Sequence, residues 1–278
     1  MTLWYRCRRL ARAFLAAVIC ASTRAALAAA QTAVVPDNRA LAEEAANPLS
    51  GVAFTPVDIR ANAGINPNDR TAYVITFEPR IPVPLTDRWR MVIRGVVPVV
   101  SQPLVTGDRA VGLANIMVTG FLGPVDSTGI TWGVGPVALL PTTTTTQLEP
   151  RQPGIGVGGV GVASFPPYVT VLFLQNVWSF QGDINRFLAE PTFTYLLPDG
   201  WTAESGAEIT ADWPQPGGDR WTVGVGAGGG RTFTIGGQPF STTVRLSVNV
   251  VKPTLGADWQ LRWVMGLLFP APIPPGPQ

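Results

Sequence analysis

From Trp259 to Phe269, alternate residues divide into two faces. One carries Trp259, Leu261, Trp263, Met265, Leu267 and Phe269; the other carries Gln260, Arg262, Val264, Gly266 and Leu268. Val244, Leu246, Val248 and Val250 alternate likewise with Thr243, Arg245, Ser247 and Asn249. So do Trp201, Ala203, Ala207, Ile209, Ala211 and Trp213 with Thr202, Glu204, Glu208, Thr210 and Asp212. A period of two is that of a β-strand. These segments run 11 to 13 residues, whereas strands of soluble proteins are mostly about 5–6 residues long. A tilted strand needs roughly 9–11 residues to cross a bilayer. Membrane barrels also alternate an apolar lipid face with a polar lumenal one and carry aromatic girdles at both interfaces. Trp201 and Trp213 close the two ends of one segment, and Trp259 and Phe269 those of another. The pattern predicts an all-β fold, a transmembrane antiparallel up-and-down barrel. A secreted soluble β-sandwich is the alternative.

The first thirty residues read as a secretory signal peptide. Arg6, Arg8, Arg9 and Arg12 precede a short apolar core from Ala13 to Ala21, and Ala28-Ala29-Ala30 offers a small-residue cleavage site. Removing residues 1–30 takes with it both cysteines, Cys7 and Cys20, so a mature chain has no disulfide framework. It also removes five of the 20 basic residues and no acidic ones, leaving 15 against 18 and a net charge near −3. The basic character of the whole chain then belongs to the signal, and nucleic acid is not an expected partner. Downstream no apolar run reaches 18 residues, although mean hydropathy is positive. Interleaved apolar residues on barrel strands account for that combination.

Residues 31–49 form a leader with one helix, in which Asn38 can cap Leu41–Ala46 and Pro48 stops it. The simplest expectation places this piece outside the barrel, with a plug as the other option. Residues 50–269 contain strand-like runs near 50–60, 71–81, 88–100, 110–122, 129–140, 154–165, 168–180, 191–197, 201–213, 220–230, 240–251 and 259–269. Twelve is an even number, as single-chain bacterial barrels require, and the gaps alternate long and short, as external loops and periplasmic turns do. The exception is the long gap Arg231–Pro239, where Arg231 to Ile235 can extend the flanking strands. Both termini are then expected in the periplasm. The Thr142–Thr146 run reads as a solvated loop, and residues 270–278 as a proline-rich tail. Alternation weakens between Leu113 and Phe180, where register is not readable.

Several strings resemble a proteobacterial outer-membrane family. They are Ala46-Asn47-Pro48-Leu49-Ser50, Trp132-Gly133-Val134-Gly135-Pro136 with Leu139-Leu140-Pro141, and Gln175-Asn176-Val177-Trp178-Ser179-Phe180. Leu197-Pro198-Asp199-Gly200-Trp201, Ile235-Gly236-Gly237-Gln238-Pro239 and Leu267-Leu268-Phe269-Pro270 continue the series. That family is labelled as transporters or grouped with proteins of the meta-pathway of phenol degradation, and automatic labelling sometimes names its members neuromedin U. The resemblance spans about residues 41–270. It implies a β-barrel and transport of hydrophobic or aromatic solutes, with no catalytic residues to carry over.

Chemistry is limited by what is missing. With no histidine anywhere and no cysteine beyond the signal, the usual hydrolase triads and most zinc sites have no residues to use. Glu204 and Glu208 lie four apart on a strand, hence about 13 Å by strand rise, too far for a retaining glycosidase pair. No enzyme activity, cofactor or metal site is expected. Gly154–Gly159 and Gly224–Gly229 imitate a dinucleotide fingerprint, but each lies inside a strand pattern with no helix following.

The candidate lumen lining is Arg90, Arg94, Glu204, Glu208, Asp212, Arg245 and Arg262, and the candidate interface aromatics are Trp89, Trp201, Trp213, Trp221, Trp259, Trp263 and Phe269. A lining of both signs holds water and sets solute preference if the lumen is open. If it is closed, the same groups fill it as a salt-bridge network. The sequence therefore predicts an exported outer-membrane barrel passing small solutes passively, in contact with lipid and the barrel-insertion machinery. The alternatives are a closed structural or adhesive barrel and the soluble sandwich. Oligomeric state is not encoded in any of these patterns.

Overall fold

A computed structural model describes residues 37–66, 68–125 and 129–270. The signal peptide and cleavage site expected over residues 1–30, and the tail beyond Pro270, lie outside the described residues. The chain opens with helix α1 (Asn38–Ala46), where the Asp37 side chain accepts a hydrogen bond from the Arg39 N–H. The cap is thus Asp37, one residue before the Asn38 expected; either residue type can accept from the first-turn amides.

The strands are β1 (Ala53–Ile65), β2 (Arg70–Phe77), β3 (Arg80–Pro84), β4 (Trp89–Pro103), β5 (Arg109–Leu113), β6 (Ile116–Pro124) and β7 (Ile130–Leu140). They continue as β8 (Gly154–Phe165), β9 (Tyr168–Ser179), β10 (Asn185–Leu196), β11 (Trp201–Asp212), β12 (Trp221–Ile235), β13 (Gln238–Val251) and β14 (Trp259–Phe269). All form one antiparallel sheet, and β14 pairs with β1 to close it. These segments make twelve barrel strands, because two of the strands are interrupted. β2 and β3 keep one register against β4, from Phe77↔Val97 to Arg80↔Arg94, and are parted only at Glu78-Pro79, where proline has no N–H for the ladder. β5 and β6 are parted by a bulge: Val99 pairs with Leu113 but Val96 with Met117, so the strand carries one extra residue around Ala114-Asn115. The closed barrel removes every open sheet edge.

Most strand limits match the sequence pattern within a few residues. The strand expected at 191–197 starts at Asn185 instead. Pro191 looks like a boundary, but it pairs with Leu172 of β9 and falls in a gap of the β10–β11 ladder, so its missing N–H costs little there. The long gap at Arg231–Pro239 shrinks to a two-residue hairpin, with Gly236 and Gly237 both at positive φ, the backbone such a tight turn requires. The Thr142–Thr146 run is not simply solvated. Thr143 is buried, Thr142 Oγ1 accepts the Ile116 N–H at 2.8 Å, and Thr144 Oγ1 accepts that of Leu113 at 3.1 Å. The β5–β6 bulge leaves backbone groups without ladder partners, and the threonines satisfy them.

Candidate functional site: a two-sided lumen

The alternation of each strand sorts its side chains between lipid and lumen. Outward residues are the exposed apolar ones, such as Tyr73, Ile75, Val157, Leu172, Val244 and Leu261. Inward residues differ from one side of the barrel to the other. On β4, β6, β8, β9 and β10 they include Val92, Phe121, Val160, Val162, Val169, Phe173 and Leu196, a continuous buried apolar wall. Phe121 and Phe173 meet edge to face at 5.8 Å. On β1, β10, β11, β13 and β14 the inward residues include Asp58, Arg60, Glu190, Glu204, Glu208, Arg245 and Arg262.

Those charges are joined across the lumen. Arg60 of β1 reaches Glu208 of β11 at 2.8 Å, and Arg262 of β14 reaches Glu190 of β10 at 3.3 Å. Each pair lies four strands apart around the barrel. Asp58 joins the two bars: its Oδ2 accepts from Arg60 Nη2 at 2.9 Å and from Arg262 Nη2 at 2.8 Å. Arg245 of β13 meets Glu204 of β11 at 2.9 Å, over the intervening Gly228 of β12, which pairs with both positions. A Cβ on Gly228 would lie 2.0 Å from the Val244 carbonyl oxygen. The glycine string is thus a close approach of strands, consistent with the structural reading and not with a phosphate cradle. Arg94 pairs with Glu78 at 2.8 Å and sits over the Phe173 ring at 5.0 Å, where the polar and apolar sides meet.

Of the lumen candidates, Arg94, Glu204, Glu208, Arg245 and Arg262 belong to this network. Arg90 and Asp212 do not. Arg90 lies at the short-turn end and donates to the Val125 carbonyl at 3.5 Å, while Asp212 ends β11 at the opposite mouth beside Gln215. Asp58, Arg60, Glu78, Arg80 and Glu190 were not among the candidates. Their signal was the shared parity of Asp58 with Arg60 and of Glu78 with Arg80, opposite the outward Tyr73, Ile75 and Phe77. The aromatic candidates are placed mainly at strand ends. Trp89 and Trp201 begin β4 and β11 at the short-turn end; Trp213, Trp221 and Trp259 lie at the long-loop end; Phe269 is the last residue of β14. Trp263 is the exception, four residues inside β14, with its indole N–H donating to Thr242 Oγ1 at 2.9 Å.

Helix α1 does not lie outside the barrel as expected. It packs on β10, β11, β12 and β13 and the Pro198–Gly200 turn. Leu41 and Ala42 are buried, and Ala42 and the following Leu49 join the apolar wall. The first residue of α1 lies so close to the Pro198–Gly200 turn that a Cβ on Gly200 would stand 2.9 Å from the Asn38 Cβ. The Glu43 side chain accepts from Ser164 of β8, and Arg80 Nη2 donates to the Ala45 carbonyl at 3.3 Å. Between helix and ion pairs is a cavity of about 220 Å³, lined in part by Phe54, Asp58, Glu78, Arg80, Arg94, Phe173, Arg245 and Arg262. At the opposite mouth the loop 141–153 turns inward, and Glu149 is buried against the Asn115 N–H and Arg186 of β10, the latter at 2.7 Å. No group of acidic, histidine or cysteine residues able to hold a metal occurs among the described residues.

No protein-family model matches the chain, and no curated protein does. Among solved structures it is similar to an outer membrane channel from Pseudomonas putida F1, with TM-score 0.61 and 14% identity over 86% of this chain and 98% of that one. The fold is that of an outer-membrane β-barrel. Weaker likenesses include LpxR from Salmonella typhimurium, with TM-score 0.43, 9% identity and coverage of 77% and 99% of the two chains. The outer membrane phospholipase A from Escherichia coli has TM-score 0.41, 11% identity and coverage of 77% and 95%. Neither of these two bears on the activity of this barrel.

Proposed function

We propose that this outer-membrane barrel is a narrow channel for small, largely apolar solutes, not a general water-filled porin. The observation that carries the reading is the two-sided lumen. Ion pairs bar one side, while the apolar wall from Val92 to Leu196 runs along the other. A solute following that wall exchanges one apolar surface for another and leaves the bars intact. Hydrated inorganic ions and large hydrophiles, which gain nothing from the apolar wall, would have to break buried pairs, which is costly. The family resemblance, with its hydrophobic or aromatic solutes, points the same way, and no catalytic group is required.

The test is planar-bilayer conductance and vesicle uptake with refolded protein whose barrel is verified by heat-modifiable gel mobility. Small conductance steps, with uptake of toluene exceeding that of glucose, are the expected result. A folded barrel with neither steps nor uptake would establish the closed structural reading, which the inward helix and the 141–153 loop favour.

A further inference from the structure

The charged groups around the 220 Å³ cavity are not all paired. Asp58 holds Arg60 and Arg262, Glu78 holds Arg94, Glu190 holds Arg262, and Glu204 holds Arg245. Among the described residues Arg80 is the one lining cation that forms no salt bridge, its neighbour Glu78 being held by Arg94. Its guanidinium stands 4.6 Å over the Phe54 ring and donates to one group, the Ala45 carbonyl at 3.3 Å. That carbonyl belongs to the last turn of α1, whose partial negative charge balances a cation only in part. Across the β3–β4 ladder Arg80 faces another arginine, Arg94, whose own charge is already matched by Glu78. A partly desolvated cation in this position favours an anion, and a guanidinium offers five N–H donors in a fork that fits a carboxylate bidentately.

We propose that the cavity binds a small organic monocarboxylate, its carboxylate on Arg80 and its apolar body between Phe54, Phe173 and the alanines of α1. This rests on the channel reading above and names the solute class that the lumen selects. The size of the cavity supports a small ligand, being below the roughly 300–1,000 Å³ of pockets that hold drug-sized molecules. So does its mixed lining, in which one cation outside the salt bridges fixes orientation while aromatic and aliphatic surfaces accept the remainder. A neutral solute of equal shape would lack the charge-assisted bonds and bind more weakly.

The experiment compares benzoate with its neutral isostere benzamide, titrated calorimetrically into detergent-solubilised full barrel. Benzoate should bind at least tenfold more tightly than benzamide. Arg80→Gln should remove that preference, and Arg80→Lys should restore part of it, with each variant's fold checked by heat-modifiable mobility. Equal binding of the two probes by the unmodified protein, absence of benzoate binding, or a preference unchanged in a folded Arg80→Gln variant would overturn the proposal. The unmodified protein alone suffices for the first two outcomes, so a variant that fails to fold does not rescue it. Conductance recorded on the same preparation separates the two readings. Benzoate binding without conductance keeps the site and removes the channel, whereas conductance without benzoate preference does the reverse.

Discussion

Asp58 and Arg262 meet at 2.8 Å across the seam where the first and last barrel strands close on each other. Gln260 repeats the link one step further along, donating to Asn62 at 2.9 Å. Asp58 also holds Arg60, so a single carboxylate, almost wholly buried, carries two arginines. Asp58→Asn leaves both cations facing each other and should destabilise the barrel by about 3 kcal/mol, as breaking a buried pair does. Urea unfolding followed by gel mobility measures this. A simultaneous Arg262→Met should recover part of the loss. Two independent, additive losses would show that the seam pair is not coupled.

The lipid and lumen faces of β11 are tested by neighbouring positions. Ile209 lies between Ala189 and Val223 on the outward face, while Thr210 lies between Leu188 and Thr222 on the inward one. An arginine facing lipid near the midplane costs roughly 2–4 kcal/mol, whereas a lumenal one remains solvated or paired. Ile209→Arg should therefore impair insertion into vesicles strongly, and Thr210→Arg only slightly. Equal impairment would mean that the register of β11 is wrong.

Legibility of the fold follows from how differently the two halves of the lumen are made. In β11 and β13 the inward positions are mostly polar or charged, and β14 adds Gln260 and Arg262, so period two is visible in the sequence and both register and lining can be read directly. In β8 and β9 the inward Val160, Val162, Val169 and Phe173 are as apolar as the outward Val157 and Leu172. Alternation disappears there because lumen and lipid demand the same chemistry. The helix could be read, with its start one residue late, but its place could not. Nothing in Asn38–Ala46 marks it as lumenal; the surfaces it packs on, from β10 to β13, lie far away in the chain. The cross-lumen pairs were hidden for the same reason, since strands four apart have no local signal linking Arg60 to Glu208.

Outside the membrane-spanning strands, Asp219 ties two loops together. It accepts from the Thr254 N–H at 2.7 Å and from the Thr254 hydroxyl at 2.9 Å. The backbone bond, and then the hydroxyl, hold its carboxyl below the ordinary carboxylate value. A carboxylate with a lowered folded pKa contributes fully above its unfolded value, about 3.9, and loses its contribution as pH falls through the lower folded value. Hydrogen exchange at Thr254, corrected for intrinsic rates, should therefore lose protection in one acid step. Asp219→Asn should abolish the step; its persistence in that variant would assign it to another group.

The position of α1 makes its own prediction about conductance. Leu41 is fully buried and Ala42 nearly so, yet the helix has few polar ties: Arg80 to Ala45 at its end and Glu43 to Ser164 on one side. Its docking therefore rests on apolar burial, and truncating a buried leucine costs about 3 kcal/mol. Leu41→Asp goes further, since a buried carboxylate without a partner is more costly than a cavity. It should undock the helix while leaving every strand register in place. The expected result is a folded, heat-modifiable barrel whose single-channel conductance rises severalfold above the parent. Unchanged conductance in a barrel whose helix has demonstrably left the lumen, shown by new protease sensitivity at Arg39, would place the limiting constriction elsewhere. A further rise in the Leu41→Asp, Glu208→Gln double variant would identify the cross-lumen pair Arg60–Glu208 as the next barrier on that path, and no further rise would point to the 141–153 loop.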